Sequence, residues 1–263
     1  MKYALITGAY GGIGKETAIK LSNAGYTVFA LDRKVENETE GIIPIQTDVT
    51  DIDSVKDAFN KVKKITDKLD AIIHFAGVYY LDSLVEMADE KFKRAFDVNV
   101  FGAFRINKTF LPLLSHGSKI IITTSELAPL DPLPFTGVYA LTKSTLDKYA
   151  YSLRMEVQLL GISVVVLRPG AVKTTLLNDS TDELDKFCEN TSLYKVNSKR
   201  FKKIVNGVES RHVEPEKIAK LTLKILGKKK PKQVYKLNRN PLLLLLNLLP
   251  RRMQTWAIKQ VLK

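Results

Sequence analysis

The chain has 263 residues, 45% of them apolar, and a net charge of +13, which is long and apolar enough to bury a full core and suits one large α/β domain. Its single cysteine, Cys188, excludes an internal disulfide and fits a reducing compartment, so a cytoplasmic protein is expected. The three histidines (His74, His116, His212) are scattered without ligand spacing, which argues against a built-in metal site. The charge is uneven: residues 195–263 hold 19 Lys+Arg against 3 Asp+Glu (+16), and residues 1–194 hold 22 against 25 (−3). A near-neutral body with a basic C-terminal part points to an anionic surface (membrane, nucleic acid or an acidic partner), with a merely solvated basic face as the alternative.

Residues 2–7 read as a strand from the start, leaving no room for a signal or transit peptide. The strand runs into Thr7-Gly8-Ala9-Tyr10-Gly11-Gly12-Ile13-Gly14, then an amphipathic helix from Lys15 to Ala24 and a second strand from Tyr26 to Leu31, closing on Asp32-Arg33. Strand, glycine turn, helix and strand make the first unit of a dinucleotide-binding fold. Gly8, Gly12 and Gly14 let backbone approach a pyrophosphate, which sits where helix N–H groups are free. Asp32 stands at the tip of the second strand. A carboxylate there accepts both adenosine ribose hydroxyls and repels a 2′-phosphate, whereas Arg33 next door would pair with one. The carboxylate is weighed more heavily, so NAD is expected over NADP.

A third strand, Ile42 to Gln46, leads to Asp48-Val49, within reach of an adenine amine. A helix from Asp53 to Ile65 and a fourth strand from Leu69 to Phe75 follow, continuing into Ala76-Gly77. Glu86 to Leu114 carries one long helical pattern with Asn99 in its middle, broken by Pro112. Lys119 to Thr124 is an apolar strand ending at Ser125, and Ala128 to Pro134 is a proline-bearing loop.

The chain is organised around the next helix, Gly137 to about Gly161. Tyr139 and Lys143 stand four residues apart and so share a face. One positive charge at ~4 Å and an effective dielectric of ~20 contributes ~4 kcal/mol, enough to lower the phenol pKa by roughly 3. Ile162 to Leu167 is the sixth strand, followed by Arg168-Pro169-Gly170-Ala171-Val172-Lys173-Thr174. Strands and helices thus alternate through residue 168, the pattern of a doubly wound Rossmann fold with helices on both faces of a parallel sheet. Val234 to Leu237 supplies a seventh strand, after a helix from Glu214 to Leu226. Residues 176–213 read as a polar segment that covers the substrate. The domain therefore spans 1–240, with an apolar and basic tail at 241–263. The tail's leucine run, Leu242 to Leu249, is far short of the ~20 residues a membrane span needs. It fits either an interfacial helix on a membrane surface or a cover for the pocket of this subunit or a neighbour.

These residues together resemble the short-chain dehydrogenase/reductase family, in its branch of ~250-residue subunits. The matching parts are the TGAYGGIG turn, Asp48-Val49, the set Asn99, Ser125, Tyr139 and Lys143, and the segment from Pro169-Gly170 to Thr174, which flanks the nicotinamide carboxamide. Two departures stand out. His74-Phe75-Ala76-Gly77 replaces the usual Asn-Asn-Ala-Gly, which bears on bracing the sheet; a catalytic base at His74 is the minor alternative. Ser125 also precedes Tyr139 by one position more than is commonest, with Thr123 and Thr124 as substitutes.

The resemblance implies that Tyr139 exchanges a proton with the substrate oxygen while hydride moves to or from nicotinamide C4. It implies that Lys143 holds the nicotinamide ribose and acidifies Tyr139, that Ser125 hydrogen-bonds the carbonyl, and that Asn99 holds a water linking Lys143 to solvent. Gly8, Tyr10, Gly12, Ile13, Gly14, Asp32, Arg33, Asp48, Val49, Ala76, Gly77, Pro169, Gly170, Val172 and Thr174 are the remaining expected cofactor contacts. The tail is similar to hydroxysteroid and retinol dehydrogenase members, so the expected substrate is a steroid, retinoid or other apolar secondary alcohol and its ketone. A homodimer or homotetramer is implied, with peripheral membrane contact through 241–263 as one reading of the tail and no nucleic-acid partner. The alternatives are a 3-oxoacyl thioester reductase and a non-catalytic NAD-sensing protein.

Overall fold

A computed structural model describes residues 1–209 and 211–263, without the side chains of 175–180 and 208–209. Strands β1 (Lys2–Thr7), β2 (Tyr26–Asp32), β3 (Ile42–Gln46), β4 (Leu69–His74), β5 (Leu114–Thr123), β6 (Ser163–Pro169) and β7 (Val234–Leu237) form a parallel sheet. Its order is β3-β2-β1-β4-β5-β6-β7. The order reverses between β1 and β4, and a ligand crevice opens at such a switch point, beyond the strands' C-terminal ends.

The strands read as near-continuous apolar runs because both faces are covered. Successive side chains alternate in direction. Ala4 and Ile6 of β1 pack with Ile218 and Ile225 of one helix, α8 (Pro215–Leu226), and with Leu21 of α1 (Gly12–Ser22). Leu5 of the same strand faces the other way, towards Val55 of α2 (Ile52–Lys63) and Ile106 of α4 (Gly102–Phe110). Farther along the sheet Ile120 and Ile122 meet Leu146 and Ala150 of α5 (Gly137–Val157). The result is a single doubly wound α/β domain.

Four stretches differ from the sequence expectation, one being β5, which begins at Leu114 rather than Lys119. Helix α1 begins at Gly12 rather than Lys15, so two of the glycines lie inside its first turn. The long helical pattern over 86–114 is divided into α3 (Asp89–Phe96), a π-helical turn (Asp97–Phe101), α4, and a 3₁₀ turn at Leu111–Leu113 that holds Pro112. The polar segment at 176–213 is largely helical, as α6 (Thr175–Asn190) and α7 (Lys195–Glu209), with Ser210 outside the described residues. Its apolar positions are sparse, but they converge: Leu184, Phe187, Phe201 and Val205 form a satellite core with Leu81, Phe135 and Leu262. Such clustering across elements is invisible to local periodicity. The Glu86 carboxylate fastens this layer to the body. It accepts from the Thr191 hydroxyl at 2.6 Å and from the Ser192 and Leu193 N–H groups, which together hold its pKa down to about 2. The tail forms α9 (Pro241–Leu248) and α10 (Arg251–Leu262).

His74 shows how the chain braces its sheet without the family's asparagine pair. It ends β4 with its ring 4% exposed, and its Nε2 meets Asn107 Oδ1 of α4 at 2.8 Å. Asn107 Nδ2 in turn donates to the Tyr149 hydroxyl of α5 at 3.1 Å, which leaves Asn107 Oδ1 to accept the imidazole N–H. The chain strand–histidine–asparagine–tyrosine ties β4 to both helices on that face. Burial pushes the imidazole pKa down from 6.5 to about 4, with the Asn107 bond opposing it. His74 is therefore a neutral structural group, bonded to Asn107. Because the folded value lies below the unfolded one, the unfolded chain takes up this proton first. The stability His74 confers is complete above pH 6.5 and is lost as pH falls through about 4, by about 3 kcal/mol. Urea unfolding of the wild type should weaken by that order between pH 7 and pH 4; His74→Asn should flatten that slope, and an unchanged slope would remove His74 from the role.

Candidate active site

The crevice is built where the glycine turn meets the end of β4. Gly8 adopts φ +67°, and a Cβ there would lie 2.5 Å from the Ala76 main-chain nitrogen. At Gly14 a Cβ would lie 2.0 Å from the Gly8 carbonyl oxygen. Neither position admits any other residue. The contacts bring Ala76 and Gly77 against the turn. Helix α1 starts beside them with no side chain capping its first N–H groups, leaving donors for an anion. Asp32 closes the far side: its Oδ2 accepts from the Tyr10 N–H at 3.0 Å and its Oδ1 from the Arg33 N–H at 2.7 Å. Arg33 itself is exposed. Asp48 and the buried Val49 follow β3, with Asp48 Oδ1 accepting from the Thr50 N–H and hydroxyl. Burial works against its charge, but those bonds and the charges of Arg94 and Arg33 hold its pKa below the usual carboxylate range. A close backbone cradle, free helix N–H groups and an acidic strand tip fit a dinucleotide.

The π-helical turn places Asn99, which is 1% exposed. Widening the helix at this point, a device frequent at functional sites, lets its amide reach outward to the main chain. Its Oδ1 accepts from the Val78 N–H at 2.8 Å, and its Nδ2 donates to the Val78 carbonyl at 2.9 Å and to Thr142 Oγ1 at 2.9 Å. Asn99 thereby joins the loop after β4 to α5. One residue on, the Lys143 Nζ donates to the Thr123 carbonyl at 3.2 Å, at the end of β5. Ser125 follows β5 and hydrogen-bonds the Tyr139 hydroxyl. The extra residue before Tyr139 is thus absorbed in the intervening loop. Thr124 faces elsewhere, towards Asp147 and the Leu167 carbonyl.

The electrostatics differ from the expectation of an acidified phenol. Burial raises the Tyr139 pKa to about 12; the Ser125 bond opposes this and the Glu126 charge adds to it. Burial alone pulls Lys143 down to about 8. The ammonium sits 5.6 Å from the centroid of the Tyr139 ring and points to a carbonyl. Enclosure disfavours the phenolate and the ammonium alike, and at this separation it outweighs their attraction. At neutral pH the pair is therefore a phenol beside an ammonium.

Ser125, Tyr139 and Lys143 line a cavity of about 200 Å³, which Ile13, Gly77, Pro169, Gly170, Val172 and Thr174 also border. Asn99 braces it from behind. Gly170 is held by close approach, since a Cβ there would lie 1.9 Å from the Asn238 carbonyl oxygen. Thr174 packs on the glycine turn, 3.0 Å from where a Gly12 Cβ would be. Asp32, Arg33, Asp48 and Val49 lie beyond the cavity's border. Several wall residues escape sequence reasoning. Tyr79 packs its ring 4.2 Å from that of Tyr139; Phe201, Ile204 and Val205 come from α7; Leu243 comes from α9. Glu126, 7% exposed, also borders the cavity, and its Oε2 accepts from the Asn240 N–H at 2.6 Å, clasping the start of α9. Only its position directly after Ser125 hinted at it.

The short chain dehydrogenase family model matches residues 2–185. Among curated relatives, mouse estradiol 17-beta-dehydrogenase 2 is 34% identical over 201 residues, covering 70% of this chain and 52% of that protein. The chain thus spans about half the length of that relative. The NADPH-dependent 1-acyldihydroxyacetone phosphate reductase of Schizosaccharomyces pombe is 33% identical over 181 residues, covering 66% of this chain and 61% of that protein. Among solved structures, an alcohol dehydrogenase from the archaeon Thermococcus sibiricus, complexed with 5-hydroxy-NADP, superposes with a TM-score of 0.73 at 25% identity, covering 92% of this chain and 99% of that one.

The glycine crossing gives a direct test. Gly14→Ala should weaken NADH binding by at least about tenfold, because the methyl drives Gly8 away from the helix N–H groups that would hold a phosphate; protein-to-NADH energy-transfer titration measures it, and unchanged affinity would exclude this turn as the cradle.

Proposed function

Since the chain belongs to the short-chain dehydrogenase family, we propose that it interconverts a lipophilic secondary alcohol and its ketone with a nicotinamide cofactor. The observation that carries this is the shared cavity of Ser125, Tyr139 and Lys143 beside the glycine cradle. When bound, the dinucleotide supplies the hydride donor or acceptor. The chain supplies the rest. Tyr139, a neutral phenol at pH 7, holds the proton that the substrate oxygen needs in reduction and takes it back in oxidation. Ser125 hydrogen-bonds the same oxygen as charge develops on it. Lys143 would hold the nicotinamide ribose with its ammonium, and Asn99 fixes the helix that carries both Tyr139 and Lys143. A nucleotide sensor would have no use for a buried, solvent-shielded acid and donor facing an apolar cavity, which disfavours a binding-only role.

NAD is the cofactor favoured by Asp32, whose carboxylate faces the turn. The two NADP-linked names among the similar proteins weigh the other way, and the exposed Arg33 is the residue that would serve NADP. The apolar walls from Leu127, Leu133, Phe201, Ile204 and Leu243 support a bulky lipid-like substrate such as a steroid or retinoid. Helices α6 and α7 act as its lid, and the body at 1–240 works with the tail at 241–263. A 3-oxoacyl thioester reductase is the alternative reading; the leucine-rich tail and the Asp32 carboxylate at the turn weigh against it. A homo-oligomer is supported by exposed Phe101, Phe104, Tyr151 and Met155 around α4 and α5. The reducing environment suited to Cys188 favours the cytoplasm.

Tyr139→Phe should abolish turnover while NADH still binds, read as NADH formation across a panel of steroids, retinol and medium-chain alcohols; activity within tenfold of wild type would remove Tyr139 from the acid/base role. Asp32→Ala should shift the NAD-to-NADP ratio of kcat/KM towards NADP by about tenfold, and a ratio that stays put would overturn the ribose assignment.

A further inference from the structure

Helices α9 and α10 present two faces each. On α9, Leu243 turns inward to the cavity, and Asn247 Oδ1 accepts from the Asp131 N–H at 2.7 Å, seating the helix on the loop before α5. On α10, Gln254 and Leu262 are buried, and the Leu262 carbonyl accepts from Asn197 of α7 at 2.7 Å. The opposite faces are apolar and uncovered. Leu242, Leu245 and Leu248 are 65%, 60% and 81% exposed, and Met253, Trp256 and Val261 are 53%, 65% and 58% exposed. A soluble surface gains nothing from this, since each such leucine forgoes roughly 1.5–3 kcal/mol of burial.

The surrounding charge identifies what would cover it. From residue 227 to the C-terminus there are ten Lys+Arg and no Asp or Glu. Arg252, Lys259 and Lys263 are exposed beside the apolar face, and Arg251, also exposed, is partly neutralised by the Asp131 carboxylate at 3.1 Å. A second copy of the same face would oppose these cations to one another. An anionic bilayer would attract each by about 1 kcal/mol while burying the leucines and the tryptophan in its acyl boundary. No described helix is long and apolar enough to cross a membrane.

We propose that α9 and α10 together dock this protein onto the surface of an anionic bilayer, with α9 forming the partition between the acyl boundary and the active-site cavity. One side of α9 meets lipid through Leu242, Leu245 and Leu248; its other side is the cavity wall at Leu243. A lipid-dissolved substrate then enters beside α9 without crossing water. Docking stands on the surface alone, while the entry route rests on the lipophilic substrate proposed above.

The test uses the full chain and its sole tryptophan, Trp256, as reporter. Phosphatidylcholine vesicles containing phosphatidylglycerol should shift its emission to the blue, co-sediment the protein, and let brominated acyl chains quench it. Pure phosphatidylcholine should bind more weakly, and added salt should reduce binding to the anionic vesicles. Leu248→Glu, at a position already exposed, should lower vesicle affinity by roughly tenfold or more while leaving turnover of a water-soluble alcohol unchanged. Unshifted emission with no co-sedimentation would overturn docking. So would emission already blue without vesicles in a dimer that Leu248→Glu dissociates, because the face would then belong to a second copy. Vesicle binding with no alcohol turnover would instead leave docking standing and remove the oxidoreductase reading.

Discussion

An ammonium held out of water beside a phenol, on the floor of an apolar cavity, is the constraint that the surrounding structure serves. Moving the Lys143 pKa from 10.5 to about 8 corresponds to about 3 kcal/mol disfavouring its charge. The fold must hold that strain in one geometry. From one side the Thr123 carbonyl at the end of β5 receives the ammonium. From the other, Asn99 grips Thr142, the residue before Lys143, while clasping the Val78 peptide with both ends of its amide. The π-helical turn makes that double grip reachable. Sheet edge, turn and helix are thus locked to one another at the point where a charge is least welcome.

The parts legible in the sequence are those whose signal is local. Each strand of a sheet covered on both faces is a short apolar run, and the glycine turn declares itself because backbone crowding at Gly8 and Gly14 excludes any side chain. Seven strands and a doubly wound architecture follow from these alone. What stayed hidden depends on contacts between distant residues. The helices at 175–209 bury a cluster assembled from Leu81, Phe135 and Leu262 as well as their own side chains, so their local pattern looks merely polar. The break at Asn99 is likewise set by the Val78 peptide, 21 positions away.

The protonation states of Tyr139 and Lys143 are a second case of distance defeating inference. Spacing along a helix fixes that Tyr139 and Lys143 share a face, but not how deeply that face is enclosed. Desolvation, which the chain reveals only once folded, reverses the sign of the shift on the phenol. His74 illustrates the converse. A departure from the family pattern at a strand end reads as a loss of bracing, yet Asn107 and Tyr149 supply an alternative bridge. The compensation sits 33 and 75 positions along the chain, on two different helices.

The strand order has a consequence for how the molecule comes into being. β1 lies between β2, which follows it closely, and β4, whose Asp70 side chain accepts from the Tyr3 N–H 67 positions away. During synthesis β1 to β3 can pair early, but the glycine turn packs Gly8 against Ala76 and so stays incomplete until that far segment has emerged. Closing so long a loop is entropically slow, and the exposed flank of β1 is meanwhile an adhesive ribbon. Nascent chains stalled before β4 are therefore the species on which chaperones would be expected to act, and dinucleotide can assist only the later half of assembly.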